Sequence, residues 1–492
     1  MRGVPWLLAW RSLADRPGRA ALLLLGYAAG VGVMISLLSV GEALLAQARD
    51  PNLAAGGDLV MLPRGVDPAV LKVNGATALY FSIPHAAFVV RDLLSGPRFT
   101  SAVAAAAPEI QGRPLYVRVH GHTTLASASA GVPSLDQQVG IPQAVPGGTD
   151  SPSDRRWLDP TSDALYNALG RFHAPSAARP GWGEWDYVSF FDQGTRAYGD
   201  LKLHAGGNGT GVVLLRVRLP GQALEDIAIE RPIRPGELSM TAAAQQVGPA
   251  RVWVDAGTYR IIVRDRRLTA DLRLVPVPGY YLPSVEHETA VVRSGYAVPV
   301  VRGTITGDLR TRNTTLHLHE ALAYHDHNWG TWRAVTWDWG EASSPSGALV
   351  YGAMHLPGAE QAGSAVRPAL VFLWARSRSG IGGFVGALEI RHLEYSGWHA
   401  GPVLHGQRTR IPTAGVVDAV AGPDRIRIRM RVWDTIVGPP WGAVWGVSTG
   451  DQFLQLRTDV DVAGVVDGQP FRWQGQGASE VFVPIPVAPG GR

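Results

Sequence analysis

The chain has no cysteine among its 492 residues. That removes disulfides, thiol nucleophiles and thiolate metal sites together, and it leaves the redox compartment unread. Lysine is almost missing as well: Lys72 and Lys202 are the only lysines among 45 basic residues, so the other 43 are arginines. Acids are mixed among those arginines, the formal net charge is only +4, and no basic stripe forms that would track a phosphate backbone. Nucleic acid is therefore not expected as a partner. Long uncharged apolar runs are absent except for one, which excludes a multi-span transporter. No nucleophile-elbow serine, phosphate-binding loop or zinc-ligand spacing occurs, so no metal and no cofactor is expected.

The single apolar run is residues 20–41, AALLLLGYAAGVGVMISLLSVG. It is long enough for a helix that crosses the hydrocarbon core, which takes about 20 residues. Arg2, Arg11, Arg16 and Arg19 precede it against one acid, Asp15, and no excess of positive charge follows it. The positive-inside rule then puts the N-terminus in the cytoplasm and the bulk of the chain outside the inner membrane, in a periplasmic or other extracytoplasmic space. A cleaved signal peptide is the competing reading, since Ala46-Gln47-Ala48 has the small-x-small form; the length of the apolar core favours a retained anchor.

Composition divides the remainder. Residues 47–140 read as a small α+β module, and 141–180, rich in Pro, Gly, Ser and Asp, as a linker. From 181 onward period-two runs recur: VVLLRVRL (212–219), RVWVD (251–255), YRIIVRD (259–265), ADLRLVPV (270–277), TLHLHEALAY (315–324), ALVFLWA (369–375), RIRIRMRVW (425–433) and QFLQLRTDVDV (452–462). Alternation at this spacing, broken by Gly, Pro and Asp turns, predicts antiparallel sheets closed into barrels or sandwiches. The length calls for two lobes, 181–345 and 346–492.

The chemically dense stretch is AYHDHNWGTWRAVTWDWG, 323–340. On a strand, Tyr324, Asp326 and Asn328 share one face and His325, His327 and Trp329 the other; Trp337 and Trp339 share a face with Asp338 opposite. Glu184, Trp185 and Asp186 form a second polar-aromatic cluster.

Two resemblances attach to these residues. AWRSLADRPGRAALLLLGYAAGVGVMISLLSVGEALLAQ, with GGDLVMLPRG at 56–65, resembles the first helix and following segment of MacB/FtsX-type ABC-transporter permeases. It implies ABC-transporter subunits as partners. YHDHNWG followed by W-x-W-G resembles the signature of the hydroxyneurosporene synthase (carotenoid 1,2-hydratase)/AttH family, supported by GEWDYVSFFDQGTRAYGDLKL (183–203), PVVRGTITGDLR (299–310) and RWQGQGASEVF (472–482). That resemblance covers 181–492. It implies a mainly β chain with two consecutive lipocalin-like lobes, and water added to the C=C bond of an apolar isoprenoid. It maps the essential His and Trp onto His325 or His327 and Trp329. The Tyr it implies on the next strand, GALVYGAMHL, matches Tyr351; the acid it implies there has no counterpart, since Gly352 and Ala353 follow.

Hydrating an unactivated alkene takes an acid protonated near neutral pH, aromatic faces for the cation, and a group that holds water. Asp326 is assigned as the acid. Trp329, Trp337 and Trp339 supply the faces, and His325 or His327 orients the water. Tyr324, Asn328, Trp332, Glu184 and Trp185 complete the expected pocket. A structural alternative is a buried Asp326 held by an arginine such as Arg333, with the tryptophans as core. The alternative function is a non-catalytic lipid-binding accessory component of a MacB/LolE-type ABC exporter.

Overall fold

The computed structural model describes residues 102–119, 122–140, 149–150, 169–173, 181–240, 242–288, 293–331, 335–355, 366–376, 382–404, 407–438 and 452–483, with isolated positions before residue 100. The expected membrane segment, 20–41, lies almost wholly outside these, and among the described residues no helix is long and apolar enough to cross a membrane. Two compact units form: Met1–Phe81 with Glu109–Thr149, and Ser82–Pro108 with Asp150–Arg492. In the first, β1 (Glu109–Val119) and β2 (His122–Gly131) make an antiparallel hairpin, followed by the short helix α1 (Pro133–Gln138).

The second unit is mainly β and contains two barrel-like sheets. Its first sheet is built from β3 (Trp182–Phe191), β4 (Tyr198–Gly206), β5 (Thr210–Arg218), β6 (Glu225–Pro232), β7 (Ala244–Val247), β8 (Ala250–Asp255), β9 (Thr258–Arg264), β10 (Leu268–Pro276), β11 (Leu282–Glu288), β12 (Arg293–Thr311) and β13 (Thr315–Thr331). The order is β6-β5-β4-β3-β13-β12-β10-β9-β8-β7, with β11 paired to β12. Residues from both ends of this order, such as Ile229 and Val252, share one core with Leu272 and Ile305, so the sheet wraps around its own interior.

The second sheet is a closed barrel of β14 (Thr336–Ser343), β15 (Gly347–His355), β16 (Val366–Arg376), β17 (Gly382–Ser396), β20 (Ala414–Ala421), β21 (Asp424–Gly438), β22 (Gln452–Val466) and β23 (Gln469–Val483). A separate hairpin, β18 (His399–Leu404) with β19 (Gln407–Ile411), interrupts the path between β17 and β20. The change of sheet falls between Thr331 and Thr336, upstream of the 345/346 division expected from sequence, because β14 pairs with β15 and β23.

Sequence alternation dictates these strands directly. In β10, Leu268, Ala270, Leu272 and Leu274 point inward while Thr269, Asp271 and Arg273 are exposed. In β21, Ile426, Ile428 and Met430 are buried while Arg425, Arg427 and Arg429 face water. A period of two with one wet face is what a single-layer barrel wall requires. β13 departs from this pattern: from Tyr324 to His327 every residue is buried. One of its faces meets the core of its own lobe, and the other meets the barrel. A core cluster of Tyr187, Val298 and Tyr324 from the first lobe with Val350 and Trp374 from the second marks that junction.

Candidate active site

β13 and β3 run antiparallel with Tyr324 opposite Ser189, Asp326 opposite Tyr187 and Asn328 opposite Trp185. β4 continues the rows, with Lys202 opposite Tyr187 and His204 opposite Trp185. Directly opposed residues share a face, so Asp326, Tyr187 and Lys202 form one row of the wall that meets the barrel. Between this wall and the barrel lies a cavity of about 190 Å³, lined among others by Trp185, Tyr187, Lys202, Tyr296, Asp326 and Asn328 from the first lobe. Trp337, Asp338, Trp339, Tyr351, Phe372, Phe453 and Glu480 line it from the second.

Asp326 is the centre of a hydrogen-bonded chain. Tyr324 Oη donates to its Oδ2 at 2.9 Å and Asn328 Nδ2 donates to its Oδ1 at 2.7 Å. Tyr324 and Tyr296 hydroxyls meet at 2.6 Å, and Trp339 Nε1, from the other lobe, donates to Tyr296 Oη at 3.0 Å. Burial raises the pKa of Asp326 from 3.8 to about 8, against the opposing hydrogen bond from Tyr324. Its carboxyl group therefore carries a proton at neutral pH. Among the described residues no arginine pairs with Asp326; Arg333, named in the structural alternative, and Trp332 lie outside them.

The two histidines of the motif stand on the other face. His325 is fully buried, donates from Nδ1 to the Tyr187 carbonyl at 3.0 Å, and meets the Tyr259 ring edge-on. Burial lowers its pKa, which keeps it neutral. His327 Nε2 donates to Glu184 Oε1 at 2.6 Å, and its Nδ1 lies 2.8 Å from Asp186 Oδ1. Burial works against its charged form, but Asp186 and Glu184 outweigh burial and raise its pKa to about 10. Trp329 stacks on His173 with ring centroids 3.7 Å apart. Strand alternation thus sets three expected residues on the far side of the sheet from Asp326: His325, His327 and Trp329 are not among the residues that line the cavity. Glu184 stands with them, since it is the anchor of His327 rather than a pocket residue.

His173, inside the segment expected as a linker, joins this cluster. Its backbone N–H donates to Glu184 Oε1 at 2.7 Å, and its Nδ1 lies 3.1 Å from the same oxygen. His173, Glu184 and His327 bring three ligand-type atoms within 4.8 Å of one another. Tetrahedral ligands on a shell of roughly 2.1 Å stand about 3.4 Å apart. The observed 2.6 and 3.1 Å spacings are those of hydrogen bonds.

Of the other expected residues, Trp185, Asn328, Trp337, Trp339 and Tyr351 line the cavity, and Tyr324 is not among its lining residues. Asp338, which the alternation argument sets on the face opposite Trp337 and Trp339, lines it as well. Trp337 Nε1 donates to Glu480 Oε2 at 3.0 Å, and His355 Nε2 and Asp338 Oδ2 meet at 2.7 Å. Tyr351 presents its ring, while its hydroxyl donates to Ser479 Oγ at 2.9 Å inside the barrel. The acid absent at Ala353 has a neighbour in register: Asp338 of β14 stands directly opposite Ala353 of β15. Tyr187, Lys202, Tyr296 and Glu480 escaped the sequence reading, and Asp338, inside the dense stretch, was given no role there. For Tyr187 the signal was present, since it shares parity with Trp185 in GEWDYVSFF. For the others no local pattern exists, because separate strands converge on the cavity.

No family model matches the chain, and no curated protein does. Among solved structures it is similar to an AttH-like protein from Nitrosomonas europaea, at 13% identity and TM-score 0.43, covering 64% of this chain and 98% of that one. It is also similar to kievitone hydratase from Nectria haematococca, at 13% identity and TM-score 0.41, covering 64% and 94%. CghA is similar at 14% identity and TM-score 0.44, covering 65% and 95%.

Proposed function

We propose that the chain binds an apolar isoprenoid or lipid in the cavity between its lobes and adds water across a C=C bond by acid catalysis. One observation carries the reading: a fully buried carboxyl, protonated at neutral pH, faces a cavity whose walls are largely aromatic. The volume of about 190 Å³ suits one end of an isoprenoid chain.

The chemistry follows from the geometry. Asp326 gives its proton to the less substituted alkene carbon, and the π bond breaks to leave a tertiary cation. The faces of Trp185, Tyr187, Trp337 and Trp339 stabilise that cation without forming a bond to it. Water attacks the cation and loses its second proton to Asp338, whose contact with His355 leads outward: the His355 side chain is 27% exposed. Asp326, left as a carboxylate, takes up one proton from solvent, which balances the one that leaves by way of Asp338, so the net change is one water added. Tyr324 and Asn328 hold the carboxyl in one orientation throughout, which is the positioning that intramolecular proton transfer needs.

The test uses the full chain, an acyclic carotene and heavy-oxygen water. Label in a tertiary alcohol is expected, and Asp326→Asn lowers the rate at least about 100-fold while tryptophan quenching by the ligand persists. Binding without label in the wild-type chain overturns the hydratase reading and leaves a lipid-binding accessory component of an exporter.

A further inference from the structure

Lysine is rare enough here for its position to be informative. From residue 73 to the C-terminus Lys202 is the only lysine, and every other permanent cation is an arginine. That one lysine sits on the cavity wall, 7% exposed, in the same cross-strand row as Tyr187 and Asp326. Its Nζ lies 5.2 Å from the Tyr187 ring centroid and 5.8 Å from that of Trp185. An arginine at this point would satisfy any need for a fixed positive charge, but a guanidinium neither deprotonates nor acts as a nucleophile. An amine does both once burial disfavours its charge. Burial does lower the pKa of Lys202, against the attraction of Glu480.

We propose that the ligand of this cavity is an apolar aldehyde or ketone, and that Lys202 Nζ captures its carbonyl carbon as an imine. The inference rests on the reading of the cavity as a ligand site and adds the chemical class of the ligand. In the first step the nitrogen lone pair forms a C–N bond as the C=O π electrons move to oxygen, which takes up a proton while nitrogen loses one. The carbinolamine then expels its hydroxyl as water by taking a proton, the nitrogen lone pair closes the C=N bond, and the resulting iminium returns its N–H proton to the group that supplied one. Amine and carbonyl become imine and water, with no change of oxidation state. Asp326, in the same row and protonated at neutrality, is the group that supplies a proton to the departing hydroxyl.

Citral and geraniol test this, because they share a carbon skeleton and differ in the carbonyl. The full chain is incubated with each in the presence of sodium cyanoborohydride, and tryptic peptides are read by mass spectrometry. Citral is expected to leave its reduced skeleton on Lys202, geraniol nothing; Lys72→Arg keeps the adduct and Lys202→Arg abolishes it. Tryptophan quenching by both compounds is followed in parallel. Quenching without an adduct at Lys202, or an adduct confined to Lys72 and the α-amine, leaves the cavity as a binding site and makes Lys202 a counter-ion of Glu480, which overturns the proposal. Absence of quenching by either compound removes the binding reading and the imine with it.

Discussion

A carboxyl group that stays protonated at neutral pH needs a site where its charged form is badly solvated, and Asp326 has one. Two neighbours donate hydrogen bonds to it, yet burial dominates and holds its pKa at about 8. The sign of the pH effect follows. The folded chain keeps a proton that the unfolded chain releases near 3.8, so the contribution to stability is full at low pH and is lost as pH rises through about 8. Activity follows the same limb: kcat/KM for hydration is expected to fall about tenfold for each pH unit above 8, and a profile flat to pH 10 would remove Asp326 from the acid role. The identity of this residue was legible in YHDHNWG, and so was its face. The partners of the two histidines were not, because Glu184 and Asp186 arrive from a strand far upstream. His173 was less legible still, since nothing in a Pro- and Gly-rich segment announces a residue that will stack on Trp329.

At the scale of the strand, the period of two is the strongest signal. It put Asp326 on one face and His325 and His327 on the other, and a sheet one layer thick keeps such faces apart. The eight alternating runs read from sequence all fall on strands: 212–218 lies in β5, with Leu219 just past its end, 315–324 in β13, 425–433 in β21 and 452–462 in β22. What alternation does not encode is where close approach is required. Gly295 of β12 stands opposite Trp329, and a Cβ there would enter the indole ring. Gly295→Ala is expected to cost about 1–3 kcal/mol through overpacking, and to release His173 from its stack. Urea denaturation checks the loss of stability, and an unchanged midpoint would show that Trp329 has room to move. Gly330, at φ +147, adds a backbone constraint at the end of the same motif, because a side chain there would meet the Arg293 carbonyl.

At the scale of the whole second unit, the two lobes are joined by buried polar contacts as well as by the shared aromatic core. Arg216 Nη1 donates to Gln455 Oε1 at 2.6 Å, and Gln455 Nε2 donates to Glu480 Oε1 at 2.9 Å. Glu480 in turn accepts from Trp337 at the cavity edge. Gln455→Leu keeps the volume and removes the middle of this chain. It is expected to destabilise the protein by about 1–3 kcal/mol, the cost of leaving a buried polar group without its partner, and to weaken ligand quenching of the cavity tryptophans. A variant with an unchanged thermal midpoint would show that the core alone holds the lobes. The segment 20–41 belongs to the first unit, and we propose that it tethers the chain to the inner membrane. Carbonate-washed membranes are expected to retain the full chain, and a chain starting after residue 46 to be released; recovery of the full chain in the wash would exclude a tether.

The sequence by itself determined the β class and the two lobes, because each depends on a local property, alternation or length, and it marked Asp326 as a carboxylic acid among aromatics. Tertiary structure alone decided which groups share a space with that acid. Asp326 draws its altered pKa from burial between two sheets, and Lys202, Tyr296, Asp338 and Glu480 meet it only because a curved sheet and a closed barrel are pressed together. Desolvation and encounter across a cavity are properties of packing, and no short run of residues contains them.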